Sequence, residues 1–254
     1  MEKTNISQEP KPETRDPQQS RQQNVDHAST KQAKLSGPGK HNQYIKNPLA
    51  HFLAIPWTAR ALTDPAVLDI VVSDRSQLAA GDMQFVRDTL NSATTVRACV
   101  TYFLKLPSRD KPEEEQQQQP VSKNKALLQG GGLQDGEDPN KPFLLFNALL
   151  DLGEGMCGFK GMLHGGAVVV LLDEMMCAAA DNQSQCAYTA TMTTNFLKPV
   201  KVPGVVVVRS RVVKKEGRKI WARGTVEDGE GNVLTECEAM MVDQMQVAGR
   251  KTQL

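Results

Sequence analysis

The most informative hydrophobic pattern in this chain is an apolar run that follows His164-Gly165-Gly166 and continues to Ala180. Within the run, Asp173 and Glu174 are the only charged residues. Its length and continuity predict one helix from about His164 to Ala180, which is apolar nearly all round and must therefore be wrapped by a sheet. A buried carboxylate costs several kcal/mol unless it is paired or solvated, so the acidic residues need an explanation beyond packing.

Apolar segments on both sides of this helix predict strands. They lie at about residues 98–106, 143–152, 187–197, 205–215, 219–227 and 233–242, and glycine-containing turns separate the last of them. Upstream, Pro56-Trp57 and the segment that begins with Asp64-Pro65 predict short helices, with Asp64 as an N-cap. One long helix followed by an antiparallel meander is typical of an α+β fold.

Two polar stretches of low complexity divide the chain. Residues 1–43 are predicted to form a disordered tail, because they bury too little apolar surface to offset their conformational entropy. Residues 108–141 contain acidic, glutamine and glycine runs and are predicted to be a solvated insertion in a loop. The rest divides into a short helical extension, residues 44–93, and a domain, residues 94–245, that contains the insertion.

Composition narrows the classes of function. The chain has 254 residues and a formal net charge of +1, so neither nucleic acid nor an anionic membrane is predicted as a partner. No apolar run reaches the ~20 residues that span a bilayer, and the N-terminus resembles neither a secretory signal nor a transit peptide. The five cysteines include no C-x-x-C pair. This predicts no metal site and a reducing compartment, the cytoplasm, with the mitochondrion left open.

Three ordered motifs resemble those of the hotdog-fold acyl-CoA thioesterases. They are His164-Gly165-Gly166 with Asp173 nine residues after the histidine, the segment TATMTTNFLKP at Thr189–Pro199, and Glu216-Gly217-Arg218-Lys219. The resemblance is to the PaaI-like branch and to the eukaryotic thioesterase-superfamily-member proteins, in a fungal form. It spans roughly residues 50–242 without the insertion, and it implies an antiparallel sheet wrapped around one long central helix.

Two further positions bear on this resemblance. Phe85–Leu90 resembles the F-x-x-x-T-L segment of the longer eukaryotic members. Gly158 stands where some PaaI-like enzymes carry an asparagine that binds the substrate carbonyl.

The resemblance implies hydrolysis of acyl-CoA thioesters to free acid and CoA, without a cofactor. It makes Asp173 the general base, or alternatively a nucleophile that forms an anhydride, and Thr189 its hydrogen-bonding partner. Backbone amides of Gly165 and Gly166 at the helix start would form an oxyanion hole. His164 is expected to support the turn. The resemblance assigns the CoA nucleotide to polar and basic residues: Asn195, Lys198, Arg218 and Lys219.

Each assignment has a structural alternative. The glycines would only pack against a strand, and Asp173 would only cap or pair within the core. Thr189 would be an ordinary β-branched strand residue, and the basic residues would belong to a solvated strand edge. The alternative for the whole protein is a non-catalytic hotdog protein that binds acyl-CoA. A hotdog hydratase is rejected because its D-x-N-x-x-H pattern is missing.

The spacing of the first motif predicts an oligomer. Nine residues separate His164 from Asp173, which on a helix is half a circle and a rise of about 13.5 Å. The amides that open the helix and the Asp173 carboxylate of the same helix therefore cannot meet on one thioester. We expect the site to be shared in a homodimer or a dimer of dimers. Acyl chain length is expected to depend on Met175, Met176 and the strand that starts at Phe143.

Overall fold

The computed structural model describes residues 41–106, 128, 134–184 and 186–243, so the predicted tail up to residue 40 lies outside the described residues. Seven strands form one antiparallel sheet: β1 (Val67–Val72), β2 (Val96–Leu104), β3 (Leu145–Leu152), β6 (Ala187–Phe196), β7 (Gly204–Glu216), β8 (Lys219–Glu227) and β9 (Val233–Asp243). Their order across the sheet is β1-β2-β3-β7-β8-β9-β6. A small hairpin of β4 (Cys157–Phe159) and β5 (Met162–Leu163) precedes the long helix. The strands predicted from hydrophobic segments are confirmed, with ends that shift by at most two residues.

The long helix, α3 (Gly165–Asp181), packs against one face of this sheet. Its buried residues are Val168, Leu171, Leu172, Met175, Met176, Ala179 and Ala180. The opposite side, which carries Val170, Asp173, Glu174 and Cys177, is only half-buried. The predicted helix is confirmed, but the sheet of one chain covers only part of its circumference.

Two short helices, α1 (Pro48–Leu53) and α2 (Pro56–Leu62), pack on the other face of the sheet through Phe52 and Leu62. The helix predicted at Pro56 is confirmed. The helix predicted from Asp64 is wrong, because the chain forms β1 there and pairs with β2. The Asp64 carboxylate accepts a hydrogen bond from the Ala66 amide and closes a turn, and the β-branched residues that follow favour a strand. The N-terminal extension therefore adds an edge strand to the same sheet.

The predicted insertion is partly built into the fold. Residues 107–127 and 129–133 lie outside the described residues, but Leu128 is fully buried. Residues 134–141 contact β7: the Lys215 amide donates to the Asp135 carbonyl at 3.0 Å. Glu137 accepts a hydrogen bond from the Phe143 amide and lies 4.0 Å from the buried Arg211 guanidinium. The expectation of a wholly solvated loop up to residue 141 is wrong for this part.

The other edge of the sheet is β6, which pairs with β9 alone and is exposed along most of its length. Three large apolar side chains on or next to it are more than half exposed: Tyr188, Phe196 and Leu197. Long, apolar, unpaired edges are uncommon in proteins that stay monomeric. Among the described residues, no helix is both long and apolar enough to cross a membrane.

Candidate active site

The start of α3 is organised by His164, which is the N-cap residue. Its Nδ1 accepts a hydrogen bond from the Gly166 amide at 3.0 Å, which agrees with the expected supporting role of this histidine. The expectation that both glycine amides face the substrate is not met, because the Gly166 N–H is already bound. In the described part of the chain no acceptor bonds the Gly165 amide, so this N–H is a free donor at the helix start.

The two glycines differ in what a side chain would meet. A Cβ at Gly166 would lie 3.1 Å from the His164 ring, so a side chain there would press on the bound histidine. At Gly165 a Cβ would make only ordinary contact, 3.5 Å, with the Phe196 ring. Packing within this chain therefore explains Gly166 and leaves Gly165 open to approach by another molecule.

Gly158 also packs against the histidine. A Cβ there would lie 3.1 Å from His164 Cα. The asparagine that some PaaI-like enzymes carry at this position would press on the residue that organises the helix start.

Asp173 lies on the side of α3 that the sheet leaves half-exposed. Thr189, near the start of β6, donates a hydrogen bond from Oγ1 to Asp173 Oδ1 at 2.5 Å. Strand and helix thus bring together two residues that are sixteen positions apart. One carboxylate oxygen is held by this bond, and no bond to the other oxygen is found among the described residues.

Cys177, one helical turn after Asp173, joins this pair. Its Sγ lies 3.4 Å from Thr189 Oγ1. Burial, with a smaller contribution from the Asp173 charge, raises the pKa of the Cys177 thiol to about 11. The thiol therefore stays protonated at neutral pH and donates to Thr189, whose own proton points to Asp173.

No role at the site was expected for Cys177 from the sequence. The signal that was available is its spacing of four from Asp173, which places both on one face. The neighbouring Glu174 has its pKa raised by burial and by the Asp173 charge, and it makes no bond to Thr189.

An open cleft of about 440 Å³ adjoins the helix start. One wall is α3 with His164 and Val170, and the facing wall is the short turn Phe85–Thr89 with Leu90. The sequence of this turn resembles a family segment, but that resemblance alone predicted no role for it. The residues expected to set the pocket lie elsewhere: Met175, Met176 and Phe143 are buried in the core and do not line the cleft.

The four residues predicted to bind the CoA nucleotide do not meet within one chain. Arg218 and Lys219 lie at the sheet end near Tyr188, since Lys219 pairs with Val242 and Val242 with Tyr188. Asn195 is seven residues further along β6, a distance of roughly 23 Å, and Lys198 lies beyond it.

Their local contacts also differ. Asn195 faces away from α3, because the preceding Thr194 bonds Cys237 on the core side. Lys198 Nζ donates to Asn232 Oδ1 at 3.4 Å. Arg218 Nε donates to the Asp243 carbonyl at 3.0 Å, while Lys219 is exposed.

Comparisons with known proteins show which proteins this chain is similar to. Residues 160–235 match the model of the thioesterase superfamily. The chain is similar to the acyl-coenzyme A thioesterase THEM4 of Rattus norvegicus, 29% identical over 133 residues that cover 51% of this chain and 56% of the relative. Its similarity to THEM4 of Bos taurus is 33% identity over 82 residues, 32% of this chain and 33% of the relative.

Among solved structures, the E. coli PaaI protein from the phenylacetic acid degradation operon aligns with 14% identity and a TM-score of 0.38, covering 39% of this chain and 72% of that one. The chain spans just over half the length of the rat relative. Residues 160–235 thus resemble the thioesterase superfamily, and the antiparallel sheet packed against one long helix has the hotdog fold.

Proposed function

We propose that this protein hydrolyses acyl-CoA thioesters to a free acid and CoA. The observation that carries the proposal is the hydrogen bond of 2.5 Å from Thr189 to Asp173. It orients a half-buried carboxylate on a helix whose first amide, that of Gly165, is free. A base and a free amide donor are the two groups that thioester hydrolysis needs from the protein. A protein that only binds acyl-CoA requires neither.

Each residue has one role in the proposed reaction. Asp173 takes a proton from water, and the resulting hydroxide attacks the thioester carbonyl carbon. The oxyanion that forms accepts a hydrogen bond from the Gly165 amide. Collapse of the tetrahedral intermediate breaks the C–S bond, and the proton held by Asp173 passes to the departing CoA sulfur. Thr189 holds one carboxylate oxygen so that the other faces the water.

Two copies of the chain are needed to assemble this site. Gly165 and Asp173 are eight residues apart on one helix, which is a rise of about 12 Å. The exposed edge strand β6, with its apolar Tyr188 and Phe196, is the surface on which a second copy would pair. We propose a homodimer through β6, in which Gly165 of one copy and Asp173 of the other share one thioester.

The same pairing bears on the CoA-binding residues. In an antiparallel pairing of two β6 strands, the Tyr188 end of one strand lies beside the Asn195 end of the other. Arg218 and Lys219 of one copy would then approach Lys198 of the other. Three cations from two chains would face the phosphates of CoA, which suit basic side chains.

A panel of acyl-CoA substrates with release of free thiol as the readout tests the proposal. We expect Asp173→Asn to lower kcat by ~10²- to 10⁴-fold, the usual contribution of a general base. Glu174→Gln is the matched control, because it removes the adjacent carboxylate and should leave most of the activity. A folded Asp173→Asn protein that keeps most of its turnover would show the assignment to be wrong. Wild-type protein that binds acyl-CoA without hydrolysing it would support the non-catalytic alternative.

A further inference from the structure

The cleft beside the helix start is built by two parts of the chain that are distant in sequence. Its inner wall is the first turns of α3, with Val170 half-buried, and its floor includes the buried Met156. The outer wall comes from the N-terminal extension, where Leu90 is buried and Phe85 at the rim is 51% exposed. An exposed aromatic ring at the mouth of an apolar cleft is a surface that a ligand can cover.

The outer wall is held in place rather than left as a free loop. The Leu90 amide donates to the Phe85 carbonyl at 2.9 Å and closes the turn. The buried Arg75 donates from Nη1 to the Val86 carbonyl at 2.6 Å. Arg87 donates in the same way to the Ser76 carbonyl at 2.6 Å. These bonds close the turn and tie it to residues 75 and 76, so the outer wall is an ordered part of the fold.

The lining chemistry selects one kind of ligand. The described lining contains no acidic side chain, no lysine and no arginine, and its polar side chains are two threonines, His164 and the Cys157 thiol. A phosphate or another charged group would find no counter-charge there. The volume of about 440 Å³ lies in the range of sites for small organic ligands. His164 and Gly166, the two neighbours of Gly165, both line the cleft.

We propose that this cleft binds the acyl chain and that the Phe85–Leu90 wall, contributed by the N-terminal extension, sets which chain lengths are accepted. The inference rests on the proposed function, because the acyl chain is attached to the thioester carbonyl, whose oxygen would accept a hydrogen bond from the Gly165 amide. Phe85 covers the outer part of the chain, and Val170 limits the width from the opposite wall. The substrate class is therefore an aliphatic or arylalkyl acyl group long enough to reach the turn.

Two substitutions and a control test the proposal with acyl-CoA substrates from acetyl to palmitoyl. Val170→Phe fills the cleft, and we expect kcat/KM to fall about 10-fold or more for long-chain acyl-CoA, with acetyl-CoA little changed. Phe85→Ala opens the rim, and we expect the preference among long chains to shift. Tyr44→Ala is the control, because this residue is an aromatic of the same extension with 53% exposure that does not line the cleft.

A binding measurement separates this inference from the proposed function. A non-hydrolysable thioether of a long alkyl chain and CoA is titrated calorimetrically into wild-type and Val170→Phe protein. A loss of affinity of about 10-fold for the long thioether, with none for the acetyl-length thioether, supports binding of the acyl chain in this cleft even if no hydrolysis is found. If a folded variant loses the same affinity for every chain length, or loses none, the cleft does not select chain length. The proposed role of Asp173 in hydrolysis would not be affected by that result.

Discussion

The Gly165→Pro substitution removes one N–H group from the helix start with little other change. Gly165 is the first residue of α3, a position at which proline fits because that N–H has no intrahelical acceptor. His164 already has φ −63° and ψ 135°, the extended conformation that a following proline requires. The fold should therefore accept proline, and the proposed oxyanion donor is lost.

The expected loss is on the order of 10²- to 10³-fold in kcat, or about 2.7–4 kcal/mol, as for other single oxyanion donors. The Gly166 amide cannot replace the lost donor, because His164 Nδ1 binds it at 3.0 Å. Gly165→Ala is the matched control. It keeps the N–H, and its Cβ would only contact the Phe196 ring at 3.5 Å. We expect the alanine protein to lose far less kcat than the proline protein.

Initial rates of thiol release at saturating acyl-CoA give kcat for the wild-type, proline and alanine proteins. Thermal unfolding and size-exclusion chromatography establish that all three fold and associate alike. If the proline protein passes these checks and retains more than half of the wild-type kcat, the donor role of Gly165 is refuted.

Subunit mixing extends the same substitution to the question of a shared site. In an equal mixture of Gly165→Pro and Asp173→Asn chains, random pairing makes half of the dimers mixed, and each mixed dimer has one intact site. Activity should therefore return to at most about a quarter of wild type. Mixed dimers that are detected by mass spectrometry but remain inactive would place the two groups in separate sites.

Three other perturbations follow from the structure. With its pKa raised to about 11, Cys177 has on the order of 10²-fold less thiolate at pH 8 than a free cysteine. Iodoacetamide should therefore label it slowly, as followed by mass spectrometry. Labelling as fast as in the unfolded chain would contradict this. Arg218→Ala with Lys219→Ala should raise KM for CoA thioesters but not for pantetheine thioesters at low salt, and an equal effect would make both residues structural. Glu137→Ala should cost about 3 kcal/mol in chemical denaturation, because it removes the nearby carboxylate from the buried Arg211; an unchanged midpoint would show that the pair adds no stability.

Local pattern determined the elements of this fold. The central helix and the strands β2, β3 and β6 to β9 follow from hydrophobic segments and turn residues, which act between neighbours in the chain. The bond between Thr189 and Asp173 was expected from the resemblance of two motifs, and the structure contains it. The error at Asp64 arose because proline after an acidic residue is typical both of a helix start and of a turn before a strand.

Only the tertiary structure decided which groups meet. His164 binds the Gly166 amide while the Gly165 amide has no acceptor among the described residues, and the position of β6 brings Cys177 to Thr189. The facing walls of the cleft, Phe85 and Val170, are eighty-five residues apart in the sequence. Hydrophobic periodicity states which side of an element is buried, but distances across a site depend on strand order and register, which arise from contacts between remote parts of the chain.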